Sequence, residues 1–342
     1  MNCKILISCG TGGVGKTTLS AGFALKAAHE GQRVAVLTID PARRLADSLK
    51  IGKLSNDPVR VPIEGIFLDA MMLEPAKTFN DFTKKYAKSP RDAELLVQNR
   101  YYKFASKRMG GVLEYTALLK LIELYDSGLY DLIVLDTPPA INAIDFFAAP
   151  SKITGMFEQK ALKWMSNKKT GWGALGLGTE ILAKGLKIFL GNEMIDDLGD
   201  FFDSFSAISE KMAVRSKECA SLLTSEQSKL LLITSADRDT ISVLDFLDAL
   251  QKANLTLGAF CINRSPAPYT ETQLDLIPAE LTGFIKWSQT VHSNALSAHA
   301  KLRAELKKQG DVFEVYEQKE APSSIQGLTK ICPMLPSVAQ LW

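Results

Sequence analysis

A glycine-rich motif close to the N-terminus limits the folds that are open to this chain. Residues 10–17 have the sequence GTGGVGKT, which fits the P-loop spacing G-x-x-x-x-G-K-[ST]. A short apolar run, residues 3–9, precedes the motif, and an Ala- and Leu-rich stretch, residues 17–29, follows it. Consecutive backbone N–H groups of such a loop point at an anion, and the helix behind it presents its positive end to the same anion. The sequence therefore predicts a nucleotide-phosphate site.

Each residue type of the motif has an expected task at that site. Lys16 is expected to reach the β- and γ-phosphates of ATP, and the Thr17 hydroxyl is expected to bind Mg²⁺. The residues predicted to contact the nucleotide are Gly12, Gly13, Val14, Gly15, Lys16, Thr17 and Thr18. A glycine-rich turn that happens to precede a helix is the plainer alternative, and the strand before and the helix after make it the weaker one.

Apolar runs and helical stretches alternate along much of the chain. The runs are apolar on both faces, as in the central strands of parallel sheets, and they occupy residues 3–9, 33–39, 66–73, 132–135, 230–235 and 257–262. Such alternation predicts an α/β fold with a doubly wound, mostly parallel sheet. We expect residues 1–342 to form a single P-loop ATPase domain of this class.

Two stretches with helical periodicity interrupt the alternation. Residues 75–127 and 150–225 carry few strand signals, and we expect them to be helical insertions that form a subdomain. Apolar stripes run along the second stretch, at Leu182, Leu186, Phe189 and Leu190, and at Leu198, Phe201, Phe202, Phe205, Ile208 and Met212. Most amphipathic stripes face a core. A groove for a client helix, or a dimer surface, within residues 182–212 is the alternative.

Two aspartates end predicted strands. Asp136 follows residues 132–135, where P-loop proteins place the acid that holds Mg²⁺. Asp40 ends the second strand and emerges at the same sheet edge as the P-loop, where a carboxylate can orient the attacking water or contact the Mg²⁺ shell. Each also has a plainer interpretation. Asp136 begins the turn sequence Asp-Thr-Pro-Pro, and Asp40 before Pro41 suits a helix cap.

Bulk composition excludes several classes of function. The 342 residues carry a formal net charge of +2, which gives no electrostatic footprint for nucleic acid and no polybasic membrane anchor. Five scattered cysteines predict reduced thiols rather than a disulfide framework or a sequence-local zinc site. Without a signal-peptide pattern or a membrane-spanning apolar run, a cytoplasmic location is expected.

Further segments match the motifs of one family in the family's order. Residues 9–18 resemble the deviant P-loop of the ArsA-type anion-transporting ATPases. Residues 38–49 and 136–139 resemble their first and second switch motifs. Residues 261–264, CINR, resemble the strand-end Asn-Arg that recognises adenine, and residues 321–328 resemble the late loop that closes over the base. The chain is most similar to the bacterial ArsA-like branch of the family.

The resemblance implies an ATPase that works as a nucleotide-driven dimeric switch. It implies a homodimer, or a heterodimer with a paralogous ATPase, that ATP closes and hydrolysis opens, and it suggests a hydrophobic membrane-protein client. Lys16 and Asp40 are the implied catalytic residues, and Thr17, Asp40 and Asp136 are the implied Mg²⁺ residues. Asn263, Arg264 and Pro322 are implied to contact the adenine.

The chain departs from the family at several places. It has Thr11 where the family usually has a lysine that reaches the partner's phosphates. Arg43 or Arg44, or a paralogue that keeps the lysine, is expected to supply the missing charge. The alternative is that both arginines are solvated on the helix after Pro41, and that Lys16, Mg²⁺ and the helix N-terminus suffice. The zinc-clasp Cys-x-x-Cys and the clustered thiols of the arsenite pump are also missing, and metalloid binding needs converging sulfurs. We therefore expect no metalloid ligand.

Two other kinds of protein stay open from the sequence. One is a P-loop kinase or ligase that acts on a small molecule. The other is a non-hydrolysing nucleotide-binding subunit of a paired ATPase, which Thr11 suggests and the retained Lys16 and Asp40 oppose. ATP turnover without an added acceptor separates the ATPase from both.

Overall fold

The computed structural model describes residues 3–108, 111–137, 192–238, 240–252, 255–266 and 282–342. The chain divides into two compact units. The sheet unit comprises Met1–Met72, Leu124–Ile144 and Leu223–Trp342, and the helical unit comprises Leu73–Glu123 and Asp145–Leu222. The second half of the predicted second switch motif, residues 138–139, and the apolar stripe at residues 182–190 lie outside the described residues.

Eight strands of the sheet unit form one sheet. They are β1 (Lys4–Cys9), β2 (Arg33–Thr38), β3 (Val59–Arg60), β4 (Phe67–Met72), β5 (Leu132–Asp136), β6 (Ser228–Ser235), β7 (Leu257–Ser265) and β8 (Val312–Tyr316). Their order is β3-β4-β2-β5-β1-β6-β7-β8. Neighbouring strands pair in parallel, apart from the antiparallel pair of β3 and β4. The predicted doubly wound α/β fold is confirmed.

The described helices follow the predicted alternation in the sheet unit and cluster in the helical unit. They are α1 (Lys16–His29), α2 (Arg44–Ser48), α3 (Pro75–Tyr86), α4 (Pro90–Gln98), α5 (Arg100–Arg108), α6 (Val112–Asp126), α7 (Asn192–Leu223), α8 (Thr240–Lys252), α9 (Thr282–Lys307), α10 (Ile325–Ile331) and α11 (Val338–Leu341), with a 3₁₀ turn at Cys332–Met334. Within the described part of the chain, no helix has the length and apolarity that crossing a membrane requires.

One face of the sheet packs against α1. The side chains of Leu6, Val36 and Val134, on three adjacent central strands, are fully buried in one cluster with Leu19 and Phe23 of α1. The alternate side chains of the same strands, such as Ile5, Leu37 and Ile133, are also fully buried. Burial on both faces explains why the strands are continuous apolar runs in the sequence. Since β1, β2, β5, β6 and β7 are parallel, the loops after them meet at the carboxyl edge of the sheet, where ligands of open α/β sheets bind.

The helical unit has an aromatic core of its own. Phe201 and Phe205 of α7 stack with their ring centroids 5.1 Å apart, and Phe79 stacks on Tyr102 at 5.3 Å. The buried members of this cluster are Phe79, Phe82, Leu96, Tyr102, Tyr115, Leu119, Phe201, Phe205, Ile208 and Met212. Phe201, Phe205, Ile208 and Met212 of the second apolar stripe therefore face a core, which favours packing over a client groove at those positions.

Candidate nucleotide-binding site

The P-loop adopts a backbone that only glycine tolerates at two of its positions. Gly10 has a φ of 147°, and a Cβ atom there would lie 2.0 Å from the backbone oxygen of Ile233. Gly15 has a φ of 93°, and a Cβ atom there would lie 2.3 Å from Nδ2 of Asn263. Helix α1 begins at the next residue, Lys16. The loop therefore delivers the helix N-terminus directly to the carboxyl edge of the sheet, as an anion site requires.

The ammonium group of Lys16 lies inside the loop. The side chain is 7% exposed, and Nζ donates hydrogen bonds to the backbone oxygens of Gly10, at 3.0 Å, and Thr11, at 2.9 Å. Burial lowers the pKa of Lys16, while the nearby Asp136 carboxylate opposes that shift. The loop thus places a desolvated cation where the β- and γ-phosphates of a nucleotide are expected.

Asp136 is fully buried behind the loop and is surrounded by hydroxyl groups. Thr38 Oγ1 donates a hydrogen bond to Oδ2 at 2.8 Å, Ser20 Oγ donates to Oδ1 at 3.5 Å, and the Thr17 hydroxyl also hydrogen-bonds to the carboxylate. Burial raises the pKa of Asp136 to about 6, although the bonds from Thr17 and Thr38 and the charge of Lys16 lower it. A buried carboxylate is stable only with such compensation.

The oxygen atoms of Thr17 and Asp136 are suitable ligands for a magnesium ion. Mg²⁺ prefers hard oxygen ligands and is usually bound by one or two protein oxygens together with the substrate's phosphates and water. Thr17 and Asp136 would hold it directly, since their oxygens are in hydrogen-bonding contact with each other. Asp40, the third predicted Mg²⁺ residue, is linked to Asp136 through Thr38. The buried negative charge of Asp136 explains why a cation is favoured at this point.

Asp40 lies at the end of the neighbouring strand and is linked to Asp136 through one hydroxyl. Its backbone N–H donates to Thr38 Oγ1 at 3.2 Å, and the same hydroxyl donates to Asp136. Oδ1 of Asp40 accepts the backbone N–H of Ala42 at 2.9 Å. Because α2 begins at Arg44 with Arg43 as its N-cap residue, Asp40 caps a turn rather than the helix.

A cavity of about 240 Å³ adjoins the P-loop. It is lined by Thr18, Asn263, Arg264 and Pro322, together with side chains from β8 and the loop after it. Asn263 Nδ2 donates to the backbone oxygen of Val14 at 2.8 Å, so the predicted adenine-contacting residue lies against the loop. The structure thus brings Asn263, Arg264 and Pro322, which are far apart from the P-loop in sequence, to one cavity beside it.

The arginines that the sequence suggested as replacements for the missing lysine point to other groups. Arg43 Nη2 donates to the backbone oxygen of Gly52 at 2.6 Å. Arg44 Nη1 lies 3.7 Å from Oδ2 of Asp40. A different arginine, Arg238, contacts the P-loop. Its Nη2 donates to the backbone oxygen of Gly12 at 2.7 Å.

Sequence reasoning missed Thr38, Ser20 and Arg238. Ser20 follows Thr17 by three positions on α1, so helical periodicity was a usable signal that it shares a face with the Mg²⁺ residue. Thr38 directly ends the strand beside β5, which parallel register brings opposite Asp136. No comparable signal marks Arg238, because its contact joins loops 226 residues apart.

The next question is whether the fold brings the scattered cysteines together into a metal-binding cluster. All five are free, and Cys3, Cys9, Cys219 and Cys261 are buried. Among the residues that the structure describes, no group of three or more His, Cys, Asp or Glu side chains has the arrangement of a metal site.

The fold and the site together define a P-loop nucleotide-binding protein. The sequence profile of the family described as anion-transporting ATPase matches residues 3–244. The chain therefore belongs to the anion-transporting ATPase family, and the resemblance of its motifs to the ArsA-type ATPases is confirmed.

Individual proteins of the family have low sequence identity to this chain. The chain is 27% identical over 170 residues to a putative arsenical pump-driving ATPase 1 of Aquifex aeolicus, an alignment that covers 48% of this chain and 40% of the relative. It is 30% identical over 172 residues to a putative arsenical pump-driving ATPase of Chlorobaculum tepidum, covering 47% and 38%. It is 27% identical over 167 residues to an ATPase GET3 of Podospora anserina, covering 48% and 47%. The chain thus spans less than half the length of these relatives.

Proposed function

We propose that this protein binds MgATP and hydrolyses it to ADP and phosphate. The observation that carries the proposal is the convergence of Lys16, Asp136 and Asp40 at one sheet edge, beside a cavity lined by Asn263. Phosphoryl transfer needs positioned charge rather than a covalent intermediate, and these groups are of the required kinds. Membership of an ATPase family supports the same conclusion.

Each residue has a role in that reaction. The P-loop N–H groups and Lys16 bind the β- and γ-phosphates and neutralise the charge that grows on the bridging oxygen. The Asp40 carboxylate accepts a hydrogen bond from a water molecule. The water oxygen attacks the γ-phosphorus while the bond from phosphorus to the ADP oxygen breaks, and the water's proton passes to the Asp40 carboxylate. A magnesium ion held by Thr17 and Asp136 would supply further positive charge to the phosphate oxygens.

The hydrolysis is proposed to drive a conformational switch in a dimer. Asp40 and Asp136 are joined through Thr38, so a group that contacts one acid also constrains the other. Loss of the γ-phosphate would release the segments that follow both. The partner is a second copy or a paralogous ATPase, and the client is a hydrophobic membrane protein. We also propose a cytoplasmic location, because a reducing compartment keeps the thiols of the five free cysteines reduced.

Purified protein is expected to release phosphate from MgATP with no acceptor added. The expected rate is slow, on the order of 10⁻² to 1 s⁻¹, because a P-loop NTPase turns over slowly when no partner supplies an arginine finger. The measurement is a coupled phosphate-release assay, with and without arsenite. Since soft metalloids need converging thiolates, arsenite should leave the rate unchanged. Turnover that needs a small-molecule acceptor would instead identify a kinase or ligase, and stimulation by arsenite would contradict the predicted absence of a metalloid site.

Replacing Asn263 with alanine is expected to weaken ATP binding about tenfold and to reduce the preference for ATP over GTP, because an amide that reads a base edge discriminates strongly. The measurement is the ratio of dissociation constants for the two nucleotides. Gln318→Ala is the matched control. Gln318 lines the same cavity, and its amide likewise donates to a backbone oxygen, but that oxygen belongs to Tyr316 and not to the P-loop. An unchanged ratio in Asn263→Ala would remove Asn263 from base recognition.

A further inference from the structure

Three consecutive carbonyl groups of the P-loop each accept a hydrogen bond from a side chain outside the loop. The Gly12 oxygen accepts from Arg238 at 2.7 Å. The Gly13 oxygen accepts from Arg264 at 3.2 Å, and the Val14 oxygen accepts from Asn263 at 2.8 Å. Arg238 follows the end of β6, and the other two donors lie in the last three residues of β7. Two strand ends therefore hold the outer side of the loop.

The backbone of β7 is irregular at the point where it supplies two of these donors. Successive side chains of a strand point to opposite faces, so Asn263 and Arg264 would not both reach one loop from a regular strand. The register with β8 shifts between Asn263 and Ser265, and Arg264 has a φ of 53°. A bulge of this kind re-aims a side chain. A positive φ in a non-glycine residue is unfavourable by about 1 kcal/mol or more and persists where the surroundings require it.

An acidic residue, Asp237, pairs with Arg264. Asp237 Oδ1 is 3.6 Å from Arg264 Nη2, and the Ser235 hydroxyl hydrogen-bonds to the same carboxylate. That hydrogen bond, followed by the charges of Arg264 and Arg238, lowers the pKa of Asp237. A charged carboxylate in this position restrains Arg264 close to the Gly13 carbonyl.

Anchoring a carbonyl also fixes the N–H group on the other side of the same peptide plane, because the peptide is planar and trans. The carbonyls of Gly12, Gly13 and Val14 belong to the peptides whose N–H groups are those of Gly13, Val14 and Gly15. A guanidinium at the oxygen polarises the peptide and strengthens its N–H as a donor. The outer contacts therefore orient and strengthen the donors that a P-loop turns toward phosphate.

We propose that Arg238 and Arg264 are positioning residues that hold the P-loop in its phosphate-binding form and add positive charge beside it. This inference rests on the proposed ATP binding. Thr11 leaves the loop without the family's second lysine, and Arg43 and Arg44 are directed to Gly52 and Asp40. The two guanidiniums beside the loop add positive charge from within the same chain.

The test compares ligands that do and do not carry phosphate. Calorimetric titration of Arg238→Ala with MgATP, MgADP and adenosine should show about tenfold weaker binding of both nucleotides, a magnitude typical of losing one exposed charge-assisted hydrogen bond. Adenosine binding should stay unchanged, because it needs only the base cavity. Arg238→Lys should keep nucleotide affinity within about threefold of wild type, since it retains the charge, whereas Arg238→Gln should not.

Arg33→Ala is the control for the loss of an arginine from the sheet unit. Arg33 pairs with Asp131 at 2.7 Å, at the opposite edge of the sheet, and its replacement should leave all three affinities unchanged. Wild-type nucleotide affinity in Arg238→Ala, an equal loss for adenosine, or better retention in Arg238→Gln than in Arg238→Lys would each overturn the inference. If wild-type protein fails to bind MgATP, the proposed function fails instead.

Discussion

Replacing Lys16 with alanine is expected to lower the rate of ATP hydrolysis at least about 1,000-fold, because a single preorganised donor at developing charge already accounts for 100- to 1,000-fold and this one carries a full charge. Nζ lies within 3.0 Å of two carbonyl oxygens of the P-loop, so the cation is held where the loop closes around phosphate.

Lys16→Ala should weaken nucleotide binding as well as slow ATP hydrolysis. The ammonium group is nearly buried, and a charge in a desolvated site interacts strongly with an anion. The measurements are single-turnover phosphate release and a titration with MgATP. The fold should survive the change, because Asp136 keeps its hydrogen bond from Thr38.

Lys26 provides a matched control on the same helix. Its ammonium group also donates to a backbone oxygen, that of Leu335, at 2.5 Å, and it lies ten residues beyond Lys16 along α1. Lys26→Ala therefore removes a similar bond without touching the P-loop, and its ATPase rate should match wild type. Hydrolysis by Lys16→Ala within tenfold of wild type would mean that the phosphate site lies elsewhere.

The central sheet was predictable because its strands are buried on both faces. Residues 3–9, 33–39 and 132–135 are continuous apolar runs, and they form β1, β2 and β5 at the middle of the sheet. Strand β8 was not predicted, because it is an edge strand that carries the charged Glu314. Arg303 of α9 lies 2.6 Å from that carboxylate, and the local sequence contains no sign of this compensating partner.

The residues of the candidate site also fall into those that the sequence predicts and those that it does not. Lys16, Asp40 and Asp136 were predictable because a motif or a strand end marks each of them, and such positions meet at one sheet edge. Arg238 follows a strand end as well, but its relevance depends on a contact with Gly12 that only the fold creates. The β7 bulge at Arg264 is also invisible in sequence, since arginine rarely adopts a positive φ.

Replacing Asp40 with asparagine is expected to leave MgATP binding within about threefold of wild type and to slow hydrolysis about 100- to 10,000-fold, the range over which a positioned acid or base contributes. The side chain is 19% exposed, so a water molecule can reach it. The asparagine amide cannot accept a proton from that water molecule. It also carries no negative charge that would hold the water molecule in place. Single-turnover hydrolysis and nucleotide titration separate the two effects.

The shape of asparagine makes this substitution informative. Oδ1 of Asp40 accepts the Ala42 N–H at 2.9 Å, and asparagine forms the same turn with its own carbonyl oxygen. The backbone N–H of residue 40 still donates to Thr38, so the link toward Asp136 is unchanged. Asp40→Asn therefore removes the charge while it keeps the local structure.

A second variant distinguishes a chemical role from a purely structural one. Asp40→Ala removes the turn bond as well, which should lower the free energy of unfolding by about 1 kcal/mol, as for the loss of a capping side chain. If Asp40 only caps the turn, Asp40→Asn should hydrolyse ATP at the wild-type rate and Asp40→Ala should differ from it mainly in thermal stability. If Asp40 positions the water, both variants should hydrolyse ATP at similarly low rates although only Asp40→Ala is destabilised. Equal loss of activity at unequal stability is the expected result, because the charge rather than the turn is what the reaction requires.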